Sequence, residues 1–183
     1  SLTINKSSGV VSMGEEILLN GNMTITSGSF NAAGYAMTVG GSWNNSGSFT
    51  AGGNTVTFNS PVAGPVTLNG GGSSFGNVII DADNGAYVYQ LGSLLDVAGN
   101  LTISRGTLVA NGYNIELGGN WSNGGTFTPG TATLVLDGAG SQAITTGGSG
   151  AGKSFNHFTV AKSAGVASLS GDLLAAGDLT ISI

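Results

Sequence analysis

The chain has few charged residues: only 7% of its 183 residues are charged, against roughly 25% in an average globular protein. Lys and Arg together number four, and the net charge is −5. Nucleic-acid binding needs clustered cations that neutralise phosphates, and an anionic membrane surface is recognised in the same way. Four scattered cations predict neither a nucleic-acid partner nor electrostatic membrane binding.

The chain also lacks cysteine, and His157 is its single histidine. A zinc site built from the usual His and Cys ligands is therefore excluded. A Ser-His-Asp triad would have to use His157, but no nucleophile motif accompanies it, so we interpret it as a surface turn residue. No apolar run approaches the roughly 18 residues of a membrane span, and none is expected.

What the chain does contain is a repeat of 78 residues. Met23-Thr24-Ile25, Leu101-Thr102-Ile103 and Leu179-Thr180-Ile181 are three copies of one strand start. Fixed-period similarity of this kind marks a repeat architecture. We expect a single domain, 1–183, that consists of a partial repeat (1–22), two full repeats (23–100 and 101–178) and the start of another (179–183).

Short stretches of alternating apolar and polar residues indicate strands with one buried face. Examples are Val56-Thr57-Phe58 and Leu134-Val135-Leu136, bounded by Gly, Asn and Ser. A finer period near 20 residues divides each repeat into four rungs of about 19.5 residues. The predicted fold is all-β, a parallel β-helix (β-solenoid) of about nine rungs.

Gly-Asn pairs precede several strand starts. Asn100 and Asn120 occupy equivalent places in successive rungs. Two interpretations stay open: an asparagine ladder along the stack, or a pair that simply suits a tight turn.

The strand starts of the Gly-Asn-Leu-Thr-Ile type and the Gly-Gly-x-Trp steps at Trp43 and Trp121 resemble the repeats of bacterial extracellular β-solenoid proteins. Filamentous-haemagglutinin-like and autotransporter-like surface proteins are the nearest type. The resemblance covers essentially the whole chain. It implies an exported, right-handed parallel β-helix at the cell surface or outside the cell, acting as an adhesin stalk or surface fibre, and it carries over no catalytic residues.

Candidate catalytic and metal sites are few. Paired carboxylates at Glu15/Glu16 and Asp81/Asp83 could serve glycoside hydrolysis, but the acids and cations are too dispersed for an active site, and we expect no enzyme. Asp81, Asp83 and Asn84 resemble the start of a calcium loop. The third ligand and the distant Glu are missing, so an Asn-Gly turn is favoured, and no cofactor is expected.

Two surface patterns could bind ligands. Tyr35, Tyr113 and the repeated Trp and Phe residues could form a sugar-stacking stripe, although core and corner packing is favoured. Strands such as Thr24-Ile25-Thr26 and Thr55-Val56-Thr57 are similar to ice-binding arrays, but their repeat copies lose threonines. Ice binding is therefore a minor alternative.

No cap is recognisable at either end of the repeat array. The predicted assembly ends are Leu2, Ile4, Leu179, Ile181 and Ile183. Uncapped ends expose strand edges and apolar core, and contact between unlike ends builds a filament. We therefore expect a non-enzymatic component of an extracellular fibre, filament or adhesin stalk, whose partner is another copy or the rest of a longer array. The alternative is a β-helix that binds or degrades carbohydrate, with a glycan as partner.

Overall fold

The structure is a computed structural model, and it describes residues 1–61, 64–82 and 87–182. These residues form strands and turns, with no helix among them. The strands are β1 (Leu2–Ser12), β2 (Ile17–Leu19), β3 (Met23–Asn31), β4 (Met37–Val39), β5 (Trp43–Asn45), β6 (Ser48–Thr50), β7 (Thr55–Phe58), β8 (Pro65–Asn69), β9 (Asn77–Asp81), β10 (Val88–Leu91), β11 (Leu95–Val97), β12 (Leu101–Arg105), β13 (Thr107–Val109), β14 (Ile115–Leu117), β15 (Trp121–Asn123), β16 (Thr126–Thr128), β17 (Thr133–Leu136), β18 (Gln142–Thr145), β19 (His157–Ala161), β20 (Ala167–Ser170) and β21 (Leu179–Ser182).

The strands stack into three sheets, and every described pair is parallel. The first sheet runs β1-β3-β5-β8-β10-β13-β16, with β6 also paired to β3. The second runs β2-β4-β7-β9-β12-β15-β18-β20, and the third β11-β14-β17-β19-β21. The predicted parallel β-solenoid is confirmed. It has about eight turns where about nine were expected, because a turn takes more residues than 19.5.

The core is a continuous apolar column between the three sheets. Strand residues alternate between buried and outward positions, as in β7, where Val56 and Phe58 are buried and Thr55 and Thr57 face out. Trp43, Trp121 and Tyr89 are the largest side chains in the column, and all are buried. Each turn buries its apolar side chains against those of the turns above and below, so the turns stabilise one another.

The 78-residue repeat does not contain four whole turns. Three steps of strand pairing lead from Met23 to Leu91, which is 68 residues. Three steps also lead from Leu101 to Leu169, again 68 residues. The remaining ten residues carry the chain to another sheet, so Met23 lies in the first sheet, Leu101 in the second and Leu179 in the third. The expectation of four rungs per repeat is therefore wrong.

The asparagine ladder is present, and it joins side chains to backbone. The side-chain oxygen of Asn77 accepts the backbone N–H of Asn100 (2.9 Å), and Asn100 Oδ1 accepts that of Asn120 (2.8 Å). Asn120 Oδ1 accepts the N–H of Ala143 (2.7 Å). Each asparagine thus ties its own turn to the following one.

Glycine is required where the turns approach each other most closely. A Cβ atom on Gly118 would collide with the backbone oxygen of Ala98, and one on Gly138 with that of Gly118. Gly34 and Gly112 are favoured for a different reason. Their φ angles are 85° and 82° in two equivalent turns, a backbone conformation that glycine adopts without steric cost.

Candidate functional site

The C-terminal end exposes apolar side chains that the same repeat motif buries elsewhere. Leu101 and Ile103 are each 0% exposed, whereas their repeat equivalents Leu179 and Ile181 are 57% and 68% exposed. The second sheet ends on β20, where Leu169 is 50% exposed. The difference arises because another turn covers Leu101 and Ile103, and no described residue covers β21 on its outer side.

At the N-terminal end, apolar side chains of the first strand are already partly or fully buried. Ile4 is buried and Leu2 is half-buried against the core. Val10 and Leu18 are exposed on the same terminal turn. Among the described residues, β1 and β2 each pair on one side only, so they present open strand edges. Ile183, the fifth predicted end residue, lies outside the described residues.

Two lysines near the C-terminal end point inward, which the sequence did not reveal. Lys162 Nζ donates to the backbone oxygens of Gly138 and Gly140 and to Gln142 Oε1. Gln142 is itself buried and donates to Leu117 O and Gly119 O. Burial of Lys162 is tolerated because all three ammonium protons have acceptors.

Lys153 binds the backbone in a similar way. Its Nζ donates to Asn123 O (2.9 Å) and Gly125 O (2.6 Å), and burial lowers the pKa of its ammonium group. Two of the four cationic side chains, those of Lys153 and Lys162, therefore donate hydrogen bonds to backbone carbonyl groups of the solenoid.

The calcium candidate is only partly described. Asp81 Oδ1 lies 2.7 Å from Arg105 Nε, one turn away in the stack. This ion pair holds the pKa of the Asp81 carboxyl below its usual value, chiefly through the hydrogen bond from Arg105. Asp83 and Asn84 lie outside the described residues. Within the described ranges, no three His, Cys, Asp or Glu side chains are grouped so that they could hold a metal ion.

His157 occupies a ladder position at the start of β19. Its Nδ1 accepts the backbone N–H of Asp178 at 3.0 Å and lies 3.3 Å from Asp178 Oδ2. The repeat equivalent Asn77 uses its side-chain oxygen for the same bond. His157 therefore has a structural partner in the following turn. Glu15 and Glu16, the other carboxylate pair, lie in the exposed turn before β2.

The repeated aromatic residues divide between core and surface. Trp43 packs against Phe49 with ring centroids 4.8 Å apart, and Trp121 packs against Phe127 at 5.0 Å. Core packing of these rings is as predicted. Tyr35 and Tyr113 are 40% and 41% exposed in equivalent turns.

The outer face of the second sheet carries a column of Thr and Ser side chains that is interrupted by Ile79. Successive turns place these residues in register: Thr38, Thr57, Ile79, Thr102, Ser122, Thr145 and Ser170. Thr24, by contrast, lies in the first sheet. Thr24 and its repeat copy Thr102 therefore lie in different sheets and do not stack on each other. Thr102 is instead in register with Thr57, with Ile79 between them.

A depression of about 250 Å³ interrupts this face. Its lining includes Thr55, Asn77, Ile79, Asn100 and Thr102. We call these five residues the Thr55–Thr102 surface. Sequence reasoning missed it, because residues from three different turns meet there and only the register brings them together.

A larger cavity of about 470 Å³ lies at a corner between turns. Phe49, Ala51, Phe75 and several glycines line it, so its walls are mostly apolar. The Ser74 hydroxyl at its edge already donates to Asp96 Oδ1 at 2.9 Å. The cavity therefore offers fewer free polar side chains than the Thr55–Thr102 surface.

Comparison with known proteins found no matching family model, no matching curated protein and no matching solved structure. No helix of the described residues is long and apolar enough to cross a membrane.

Proposed function

We propose that this protein is a non-enzymatic structural component of an extracellular fibre, filament or adhesin stalk at the cell surface, with solenoid ends that associate head to tail. The exposure of Leu179 and Ile181 carries the proposal, because the same motif is fully buried at Leu101 and Ile103. Another β-solenoid turn stacked on β21 would bury both side chains and pair the open strand edge.

The resemblance to filamentous-haemagglutinin-like and autotransporter-like repeats supports the extracellular location. The role is mechanical, since parallel strand pairing and the stacked core continue along the axis. Contact between a C-terminal and an N-terminal end is heterologous and does not close, so it extends a rod into a filament. A carbohydrate-binding or carbohydrate-degrading β-helix is the alternative function.

Electron microscopy and light scattering of the purified chain over a range of concentrations test the association. We expect rods that lengthen with concentration, and Ile181→Lys should abolish the lengthening by placing a charge in the joint. Thr159→Lys is the matched control, since Thr159 lies on the outer face one turn earlier. Short rods of one length at every concentration would contradict self-association.

Mass spectrometry of the native polypeptide complements this test. If end-to-end contact between separate molecules builds the fibre, each polypeptide recovered from native filaments has the mass of the single chain. A much longer native chain, together with no concentration dependence, would show that further repeats of one polypeptide cover the ends instead.

A further inference from the structure

The Thr55–Thr102 surface has amide donors that the ladder holds in a fixed orientation. Asn77 Oδ1 and Asn100 Oδ1 each accept a backbone N–H of the following turn, which fixes both amide planes. Asn77 Nδ2 makes only long contacts of 3.5 Å, to Asn54 O and Thr55 Oγ1. Asn100 Nδ2 has no acceptor among the residues that the structure describes. Two adjacent turns therefore present preorganised N–H groups to solvent.

Hydroxyl groups and one apolar side chain complete the surface. Thr55 and Thr102 supply hydroxyls that both donate and accept, and their branched side chains have few rotamers. Ile79 lies between Thr57 and Thr102 in the outward column and is half-buried. The depression thus combines several hydrogen-bonding groups with a small apolar floor, the combination that suits a ligand with hydroxyl groups and C–H faces.

The surface carries no charge. None of its five residues is ionisable, and the adjacent Asp81 carboxylate is paired with Arg105. An anionic ligand would find no free cation among the residues that line it, and a cationic ligand no free carboxylate. The chemistry therefore favours a neutral ligand.

We propose that the Thr55–Thr102 surface binds a neutral polysaccharide whose chain runs along the solenoid axis. The donors of Asn77 and Asn100 are separated by one strand spacing, about 4.8 Å, so successive sugar residues can meet successive turns. An ice lattice would require a flat array of hydroxyls, whereas this surface is concave and mixes amides with hydroxyls. The binding of each sugar is weak because water competes, and a long polymer gains affinity through repeated contacts.

This proposal gives the carbohydrate alternative a specific site, and it does not depend on association of the ends. Ile181 lies at the end of the third sheet, whereas the Thr55–Thr102 surface is in the middle of the second. The Ile181→Lys variant should therefore bind polysaccharide normally, so failure of one proposal can be distinguished from failure of the other.

Affinity electrophoresis in gels containing hydroxyethyl cellulose, mannan or laminarin tests the site, with polygalacturonate as the charged comparison. Asn100→Asp keeps the oxygen that accepts the Asn120 N–H and replaces the outward donor with a carboxylate oxygen. Asn22→Asp is the matched control, because Asn22 is the repeat equivalent in the first sheet, and its Oδ1 accepts the Ser42 N–H at 2.9 Å.

We expect retardation of the unmodified chain by at least one neutral polysaccharide. Asn100→Asp should weaken it about fivefold or more, and Asn22→Asp less than about twofold, since one lost hydrogen bond corresponds to a factor of that order. Thr102→Val should also weaken binding while the melting temperature is preserved. The proposal would be overturned if no neutral gel retarded the chain, or if the two Asp variants lost affinity equally. Thermal hysteresis, the signature of ice binding, in a chain that no neutral gel retards would also overturn it.

Discussion

Positions 54 and 132 show how one backbone setting can hold two different side chains. Asn54 and Ala132 are repeat equivalents, both are buried, and their carbonyl oxygens accept the N–H groups of Asn77 and His157. Neither the Nδ2 nor the Oδ1 atom of Asn54 has a partner among the described residues. A buried amide without partners costs stability, and alanine at the equivalent position avoids that cost.

Asn54→Ala should therefore stabilise the protein by about 1 kcal/mol, the lower part of the range for an unsatisfied buried polar group. Urea unfolding measures the change. The reciprocal variant Ala132→Asn should destabilise, because it introduces the unpaired amide into the second repeat. A loss of stability in Asn54→Ala would show that the amide makes a stabilising contact.

The Asp81–Arg105 pair predicts a small dependence of stability on pH. Its side chains are 31% and 52% exposed, so its contribution is below about 1 kcal/mol. Because folding lowers the pKa of Asp81, the stabilisation is complete above the unfolded pKa of about 4 and is lost as the pH falls through the lower folded value. Asp81→Asn should remove this part of the pH dependence in urea unfolding, and an unchanged pH profile would contradict it.

At the scale of the elements, the buried faces of the strands follow from local sequence, whereas the ladder does so only in part. Alternation predicted the buried face of strands such as β7 and β17, because the side-chain period of a strand is two residues. The equivalence of Asn100 and Asn120 left a ladder and a simple turn pair open, and the structure shows the ladder. The direction of its hydrogen bonds, from backbone to side-chain oxygen, depends on the positions of two turns and could not be read from either turn alone.

His157 gives a test of the ladder. His157→Asn should leave the stability nearly unchanged, because the repeat equivalent Asn77 accepts the corresponding N–H with its side-chain oxygen. His157→Ala should cost about 1 kcal/mol, because it leaves the Asp178 N–H without its side-chain acceptor. Thermal unfolding followed by circular dichroism measures both. Equal effects of the two substitutions would mean that the Nδ1 acceptor contributes nothing.

At the scale of the whole molecule, the repeat advances from sheet to sheet. Trp43 faces the core from the first sheet and its equivalent Trp121 from the second, yet both are buried among aromatic neighbours. One sequence pattern therefore builds three faces in turn. It succeeds because each strand needs only an apolar inner side and a neighbour in register, whichever face it occupies.

A chain in which residues 23–100 are duplicated should fold into a longer rod. The added repeat supplies between three and four turns, which lengthen the rod by about 17 Å at the usual strand spacing. Small-angle scattering measures the maximum dimension, and circular dichroism reports the strand content. An unchanged length, or a duplicate that remains unfolded, would show that the repeat cannot continue the stack by itself.

The sequence alone determined the solenoid class, the alternation of buried and outward residues in strands such as β7 and β17, and the burial of the repeated Trp and Phe residues. These depend on side-chain period and on repetition, which are local properties of the chain. Only the tertiary structure decided the number of turns per repeat, the face on which each strand lies, the inward course of Lys162 and the composition of the Thr55–Thr102 surface. These depend on register between turns, because a few residues gained or lost in the corners move every later strand around the axis.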